Sequence, residues 1–287
     1  MKIVDSVAKI WHQGDDIYEH IAKCARVCYA SNKSLDANDY TFCKKLWRNK
    51  HKSMFRHAGV YYIIPEALDL NYRAYGFCNI VTVEGIKYIS TNKQCAKEYF
   101  QKYKRFEIST NEAWVHPIFR EHGLIMLTFN IGTGIDITRE FNRKSPNNIA
   151  EQSTRYVDFN KRVGIKFKRC HWMKGLNLYR RFITWFMCKV DEWFYKISRS
   201  KYGLNLPPED ARWCLFLDTY SNTVYTYSVK TWEYIINMRL FDYTGKAHKD
   251  AKTVAQFLYD QLTALNFNIK NYKENEDNKS ECMVSNI

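Results

Sequence analysis

Four arginines, Arg143, Arg155, Arg212 and Arg239, could grip an anion. A guanidinium offers its donors as a planar fork that matches a phosphate, a carboxylate or a pyrimidine edge, so arginines gathered from separate elements suggest an anion-binding cleft. Arg239 lies seven residues after Trp232, four after Ile235 and three after Ile236. That spacing puts it on the apolar face of a helix, where a charge needs either an anion or a route to water. Glu151, Gln152, Ser153, Thr154, Arg155 and Tyr156 form a dense polar run directly after a loop. Binding groups often sit there, and an ordinary surface turn has the same composition. His57 stands just before an aromatic strand, as a titratable group or as a hydrogen-bonded structural residue. GxGxxG, GxxxxGK[ST] and GxSxG are absent, so Rossmann, P-loop and α/β-hydrolase readings lose their anchors.

Composition bounds the function classes. The formal charge of +14, from 44 Lys plus Arg against 30 Asp plus Glu, attracts nucleic acid, acidic membrane surfaces or phosphorylated small molecules alike. Much of the excess lies between Lys161 and Lys201, as a solvated helical face or a nucleic-acid patch. Hydrophobic content of 46% and aromatic content of 16% exclude disorder of the whole chain and supply a ring-rich core. The nine cysteines include no CxxC pair, so reduced thiols are expected rather than a zinc site or a disulfide framework. Cys24 and Cys28, four apart on an expected helix, have no second ligand pair and read as small core residues, so no metal is expected. No signal-peptide core and no uncharged apolar run approaching eighteen residues is present, which predicts a soluble cytoplasmic protein.

The elements that must position these groups follow from periodicity. Ile3 to Val7 reads as a strand, followed by a helix through Ile17, Ile21, Cys24, Ala25 and Cys28, and a second helix from near Asp39. Val60 to Ile64 is strand-like; an insert of mixed character then runs from about 66 to 124, with Tyr99 to Phe106 as a helix end or loop. Ile125 to Ile131 is a strand broken by Gly132 to Gly134, after which Thr133 and Asp136 make a capping box for a helix carrying Arg139 and Arg143. Pro146 turns the chain into a loop. Leu178 to Ile197 is a long amphipathic helix whose aromatic stripe is core or a subunit interface. Pro207 and Pro208 open a helix carrying Arg212, Thr223 to Val229 is a strand, and Thr231 caps the helix that ends near Arg239. A last helix runs through Val254, Leu258 and Leu262, and the polar stretch 270–287 reads as a disordered tail.

Arg143 to Tyr156, RKSPNNIAEQSTRY, resembles the signature RHRxxSxNExSxRY of the flavin-dependent thymidylate synthase (ThyX type) family. The frame is gapless: seven residues separate Ser145 from Ser153, and Glu151, Ser153, Arg155 and Tyr156 match by type. The resemblance continues through Thr138 to Phe141, Ala25 to Val27, His57, Ala211 with Arg212, and the Arg212-to-Arg239 spacing by way of Tyr220, Thr226 and Asn237. Lys144 and Ser145 replace the family's His and second Arg, Arg56 replaces a carboxylate, and Ser228 and Tyr234 replace asparagines.

The resemblance implies an α+β fold, a single domain over 1–269 with a mainly antiparallel sheet flanked by helices, assembled as a homotetramer whose sites draw on several subunits. It implies reductive methylation of dUMP to dTMP, with methylenetetrahydrofolate as one-carbon donor and FAD reduced by NADPH as the hydride source. By position, Glu140, Arg143, Gln152, Ser153, Arg155, Arg212 and Arg239 hold dUMP, and Arg239 also favours the ionised uracil. His57, Arg143, Lys144, Ser145, Glu151, Ser228, Lys230 and Tyr234 fall on the FAD side. The competing expectations are a flavin-less homologue that still binds nucleotides and, from the charge alone, a basic nucleic-acid-binding protein.

Overall fold

Two runs rich in β-branched and aromatic residues lie side by side at the centre of the structure, a computed structural model that describes residues 1–31, 38–144 and 148–274. In chain order the elements begin with β1 (Lys2–Val4), β2 (Val7–Trp11), α1 (Ile17–Tyr29), α2 (Asp39–Arg48) and β3 (Gly59–Pro65). Then come β4 (Asn79–Val83), β5 (Ile86–Asn92), α3 (Lys93–Tyr99), β6 (Glu107–Ile108), α4 (Thr110–Val115) and α5 (Pro117–Glu121). The middle of the chain gives β7 (Met126–Gly134), α6 (Ile135–Phe141), β8 (Ile149–Glu151), β9 (Lys166–Lys168) and α7 (Leu178–Arg199). It closes with α8 (Pro208–Ala211), β10 (Tyr220–Ser228), α9 (Val229–Arg239) and α10 (Lys249–Ala264). The class is α+β, as expected.

The main sheet is antiparallel in the order β2-β7-β10-β8, with β7 and β10 in register from Tyr220 opposite Gly134 to Ser228 opposite Met126. Both inner strands are buried on both faces, which explains why their sequences alternate only partly. Trp232 on α9 and Val254 and Leu258 on α10 pack with Phe129 and Ile131 into the largest core cluster. Strands β4, β5, β3 and β6 form a second antiparallel sheet, so most of the expected insert folds onto β3 around its own core of Tyr62, Ile89, Phe100 and Tyr103.

Three expectations at element ends fail for identifiable reasons. Ile3 to Val7 is not one strand, because β1 pairs in parallel with β9 and β2 antiparallel with β7, and the chain changes sheets between them. Gly132 to Gly134 does not break β7. A Cβ on Gly132 would lie 2.0 Å from the Tyr220 hydroxyl, so the glycine admits a cross-strand ring. Thr133 is therefore inside the strand, bonded at 2.8 Å to Ser6, and Gly134 caps α6 without a side chain. At the other end of the sheet Ser228, not Thr231, caps α9, its hydroxyl accepting from the Thr231 amide at 3.3 Å. Residues 270–274, expected in the tail, are tied to α9. The Tyr272 hydroxyl donates to Glu233 at 2.9 Å and its amide to Asn237 at 2.8 Å, while 275–287 lie outside the described residues.

Helix α7 buries Cys188, Asp191, Glu192, Tyr195 and Ser198, and leaves Phe182, Trp185, Phe186, Trp193 and Phe194 exposed. The two acids behave oppositely. Burial raises Glu192, yet bonds from the N-terminal ammonium, Lys189 and Lys196 hold it down at about 2. Asp191, which among the described residues accepts only from the Phe216 amide at 3.4 Å, is pushed up by burial to about 7. A carboxyl raised in the fold adds stability that is fully present below its unfolded value and lost as pH rises through about 7. Asp191→Asn is therefore expected to raise Tm at pH 8 and change it little at pH 4; calorimetric scans at both pH values check this. Among the described residues, no helix is long and apolar enough to cross a membrane.

Candidate active site

The end of α6 and the end of α9 meet at Glu140. Arg239 directs Nε and an Nη at 3.1 and 2.7 Å to the Glu140 carbonyl, and its other Nη at 3.1 Å to the Glu140 carboxylate. Arg143 approaches the same carboxylate at 3.1 Å. The anion required by an arginine on an apolar face is thus a glutamate held between two guanidiniums. The three residues line a cavity of about 630 Å³, with His171, Lys246, His248 and Lys249 on its other walls, within the roughly 300–1,000 Å³ usual for small-ligand pockets.

The histidines of this cavity carry no signal in the sequence, because His171 lies in a segment remote from the His248–Asp250 pair. Their ligand atoms lie within 4.8 Å of one another. Asp250 is already engaged on both oxygens, by the His171 amide at 2.8 Å and by Lys168 at 2.9 Å, and an ammonium beside the carboxylate opposes a cation there. The cluster braces the cavity wall.

A second group forms around the β8-to-α8 face. The Ser153 hydroxyl accepts from the amides of Arg155 and Tyr156 at 3.1 and 3.2 Å. Arg155 meets the Glu209 carboxylate at 2.6 Å, and Arg212 donates to the Glu209 carbonyl at 3.0 Å and to Thr154 at 3.2 Å. Arg155 and Arg212 are exposed. Gln152 is buried; its side-chain carbonyl accepts from Asn222 at 3.4 Å, and it lines another cavity with Trp11, Lys23 and Asn130. Neither Ser153, Arg155 nor Arg212 lines the cavity beside Arg239. Among the described residues no hydrogen bond or ion pair joins the two groups. The four arginines thus fall into two separate groups, Arg143 with Arg239 and Arg155 with Arg212.

The residues expected on the flavin side do not gather in one place. His57 is fully buried, with Nδ1 2.9 Å from the Thr226 hydroxyl, in a chain that runs through Thr128 to His20. Burial holds His57 down at about 3 and His20 at about 4, so both are neutral near pH 7. Glu151 accepts from Thr138 at 3.0 Å, and burial raises its carboxyl. Lys144 lies 5.0 Å over the Tyr234 ring. Lys144 and Ser228 share a crevice of 230 Å³ with Phe77, Cys78, Asn79 and Asn92 of the second sheet region. Lys230 lines a different cavity with Arg120 and His122, and Ser145 lies outside the described residues. Ligand pockets start at roughly 300 Å³, so among the described residues of one chain these groups do not line a single cavity of a size for a flavin dinucleotide.

Comparison with known proteins supplies an independent line. A sequence profile described as thymidylate synthase complementing protein, Thy1, matches residues 88–265, more than half of the chain. No curated protein matches at significance. Among solved structures, the UMP/dUMP methylase PolB from Streptomyces cacaoi bound with 5-Br dUMP is similar at 15% identity and a TM-score of 0.44, over 92% of this chain and 93% of that one. ThyX from Helicobacter pylori with FAD and dUMP is similar at 16% identity and a TM-score of 0.38, over 56% of this chain and 78% of that one.

Proposed function

We infer, from the premise that this chain belongs to the thymidylate synthase complementing protein family, that it is a methyltransferase whose acceptor is the uracil ring of a nucleoside monophosphate. The specific reaction is reductive methylation of dUMP to dTMP, with methylenetetrahydrofolate as one-carbon donor and FAD reduced by NADPH. The observation that carries this reading is the pair of half-sites, one beside Glu140 and one beside Glu209, each holding two of the four arginines.

Their chemistry divides naturally. Ser153, Arg155 and Arg212 are exposed or partly exposed donors suited to the phosphate, where Glu209 holds the guanidiniums until the nucleotide arrives. Arg239, half-buried and held on two sides by Glu140, suits the uracil edge. There a fixed positive fork stabilises negative charge spreading over the ring and so makes C5 a better nucleophile. Completion of each site by a second copy, within a homotetramer, brings the two halves onto one nucleotide. Among the described residues one chain does not make a flavin site, and the residues of this chain act on the nucleotide. A nucleotide-binding homologue without flavin is the second reading, favoured by the 230 Å³ crevice and the buried His57.

The two-half arrangement is tested by mixing chains. Arg212→Ala and Arg239→Ala are each expected to lose most dUMP-dependent activity. Denatured together and refolded as mixed assemblies, they are expected to regain a fraction of the wild-type rate, since some sites then pair two intact halves. No recovery, with mixed assemblies verified by mass, would place both arginines in a site within one chain.

A further inference from the structure

The N-terminal half of α7 is clad in apolar side chains that none of the described residues covers. Leu178 is 83% exposed, Phe182 59%, Trp185 46% and Phe186 51%. With Tyr179, Ile183, Met187, Trp193 and Phe194, also exposed, they present on the order of 1,000 Å² of apolar surface, given roughly 150–250 Å² for each large ring. The largest apolar patch of a monomer is typically about 300–600 Å², and a stable interface takes about 800 Å² from each partner.

Two faces of this one helix have complementary shapes. Phe182 stacks on Trp185 with ring centroids 6.0 Å apart and on Phe186 at 6.4 Å, forming a preformed ring knob. About 120° round the helix, Ile183 and Met187 wall an apolar groove of 680 Å³ closed by Trp172, Met173 and Phe216. A knob and a groove on adjacent faces of one element are what a twofold contact requires, each copy giving and receiving the same feature.

Charge is internally paired along the second half of the same helix. Lys189 and Lys196 are paired with Glu192 at 3.1 Å, and Arg199 with Asp158 at 2.6 Å. The basic run from Lys161 to Lys201 is therefore partly neutralised within the chain, which weakens the case for nucleic acid or an anionic lipid surface.

We propose that the N-terminal half of α7 and its groove form a twofold contact between two copies of this chain, the ring knob of each seated in the groove of the other. This rests on the proposed function only in needing a second copy, and nucleotide binding is read separately from mass.

Sedimentation of the full chain at micromolar concentration, with circular dichroism as the check on folding, provides the test. The wild type is expected to be an oligomer. Trp185→Glu on the knob and Met187→Glu on the groove side are each expected to halve its mass or reduce it to the monomer. Val115→Glu, at another exposed apolar position, should leave it unchanged. An oligomeric wild type whose mass resists both substitutions would overturn the α7 contact and leave the nucleotide reading standing. A monomeric wild type would overturn the contact and the two-copy site together. A monomer that floats with phosphatidylserine vesicles would reassign the stripe to a lipid surface and overturn the proposal.

Discussion

Replacing Arg239 by alanine is expected to lower conversion of dUMP by on the order of 10²–10³-fold, the usual effect of removing one preorganised group that stabilises developing charge. The fold should survive, because Glu140 keeps Arg143 at 3.1 Å when its other partner is lost. The loss should fall on kcat more than on KM, since the guanidinium's contribution grows as charge develops on the ring. Arg239→Lys should recover only part of the rate: it keeps the charge but loses the fork that now spans the Glu140 carbonyl and carboxylate. Steady-state kinetics on the three proteins check this, and an unchanged kcat in the alanine variant would remove Arg239 from the chemistry.

The second large effect concerns stability. The Lys168 side chain is fully buried on β9, with its ammonium 2.6 Å from Asp136 and 2.9 Å from Asp250. It ties the small parallel sheet to the starts of α6 and α10. Removing one member of such a group leaves carboxylate charge uncompensated in the interior. Lys168→Met is therefore expected to cost about 3–5 kcal/mol, or roughly 6–20 °C in Tm at about 2–4 °C per kcal/mol.

The pH dependence has a definite sign. Burial raises the Asp250 carboxyl, but Lys168 more than offsets it and leaves it lowered. Its contribution to stability is therefore present above the unfolded value of 3.8 and lost as pH falls through the depressed folded value. Burial lowers Lys168, but its two carboxylates more than offset this and leave it raised, so its contribution is full below 10.5 and lost only above that. The contribution of this ion group should be flat between these limits. The variant should gain stability as pH falls, because protonation then relieves an unpaired Asp250. A thermal midpoint within about 1 °C of wild type at pH 7 would show that the ion triad contributes little.

What the sequence reveals depends on the range of the interaction. Helices α1, α9 and α10 and strands β7 and β10 are legible because periodicity and propensity act over a few residues. Arg239 on the apolar face of α9 could be read from spacing alone, although its Glu140 partner on α6 could not. Asp136 looks like a capping residue in sequence; its partner, Lys168, is 32 residues away and indistinguishable there from the other cations of its basic run. Gly132 reads as a breaker until the Tyr220 ring across the sheet explains it. The stripe on α7 has core periodicity but lies outside, since the helix docks through Asp191, Glu192 and Tyr195 instead. The signature run, contiguous as letters, divides in space: Arg143 follows α6 while Ser153 and Arg155 follow β8. The two half-sites are visible only when the partners of Glu140 and Glu209 are seen.

The central claim is that these half-sites bind and methylate a uracil nucleotide. Its most direct test is to incubate the full chain with dUMP, methylenetetrahydrofolate, NADPH and FAD and to follow the nucleotide by mass spectrometry. The account predicts formation of dTMP, dependent on protein and on methylenetetrahydrofolate and abolished or sharply reduced in Arg239→Ala. Absence of a methylated nucleotide from folded, oligomeric protein, with UMP as well as dUMP offered as acceptor, would contradict it.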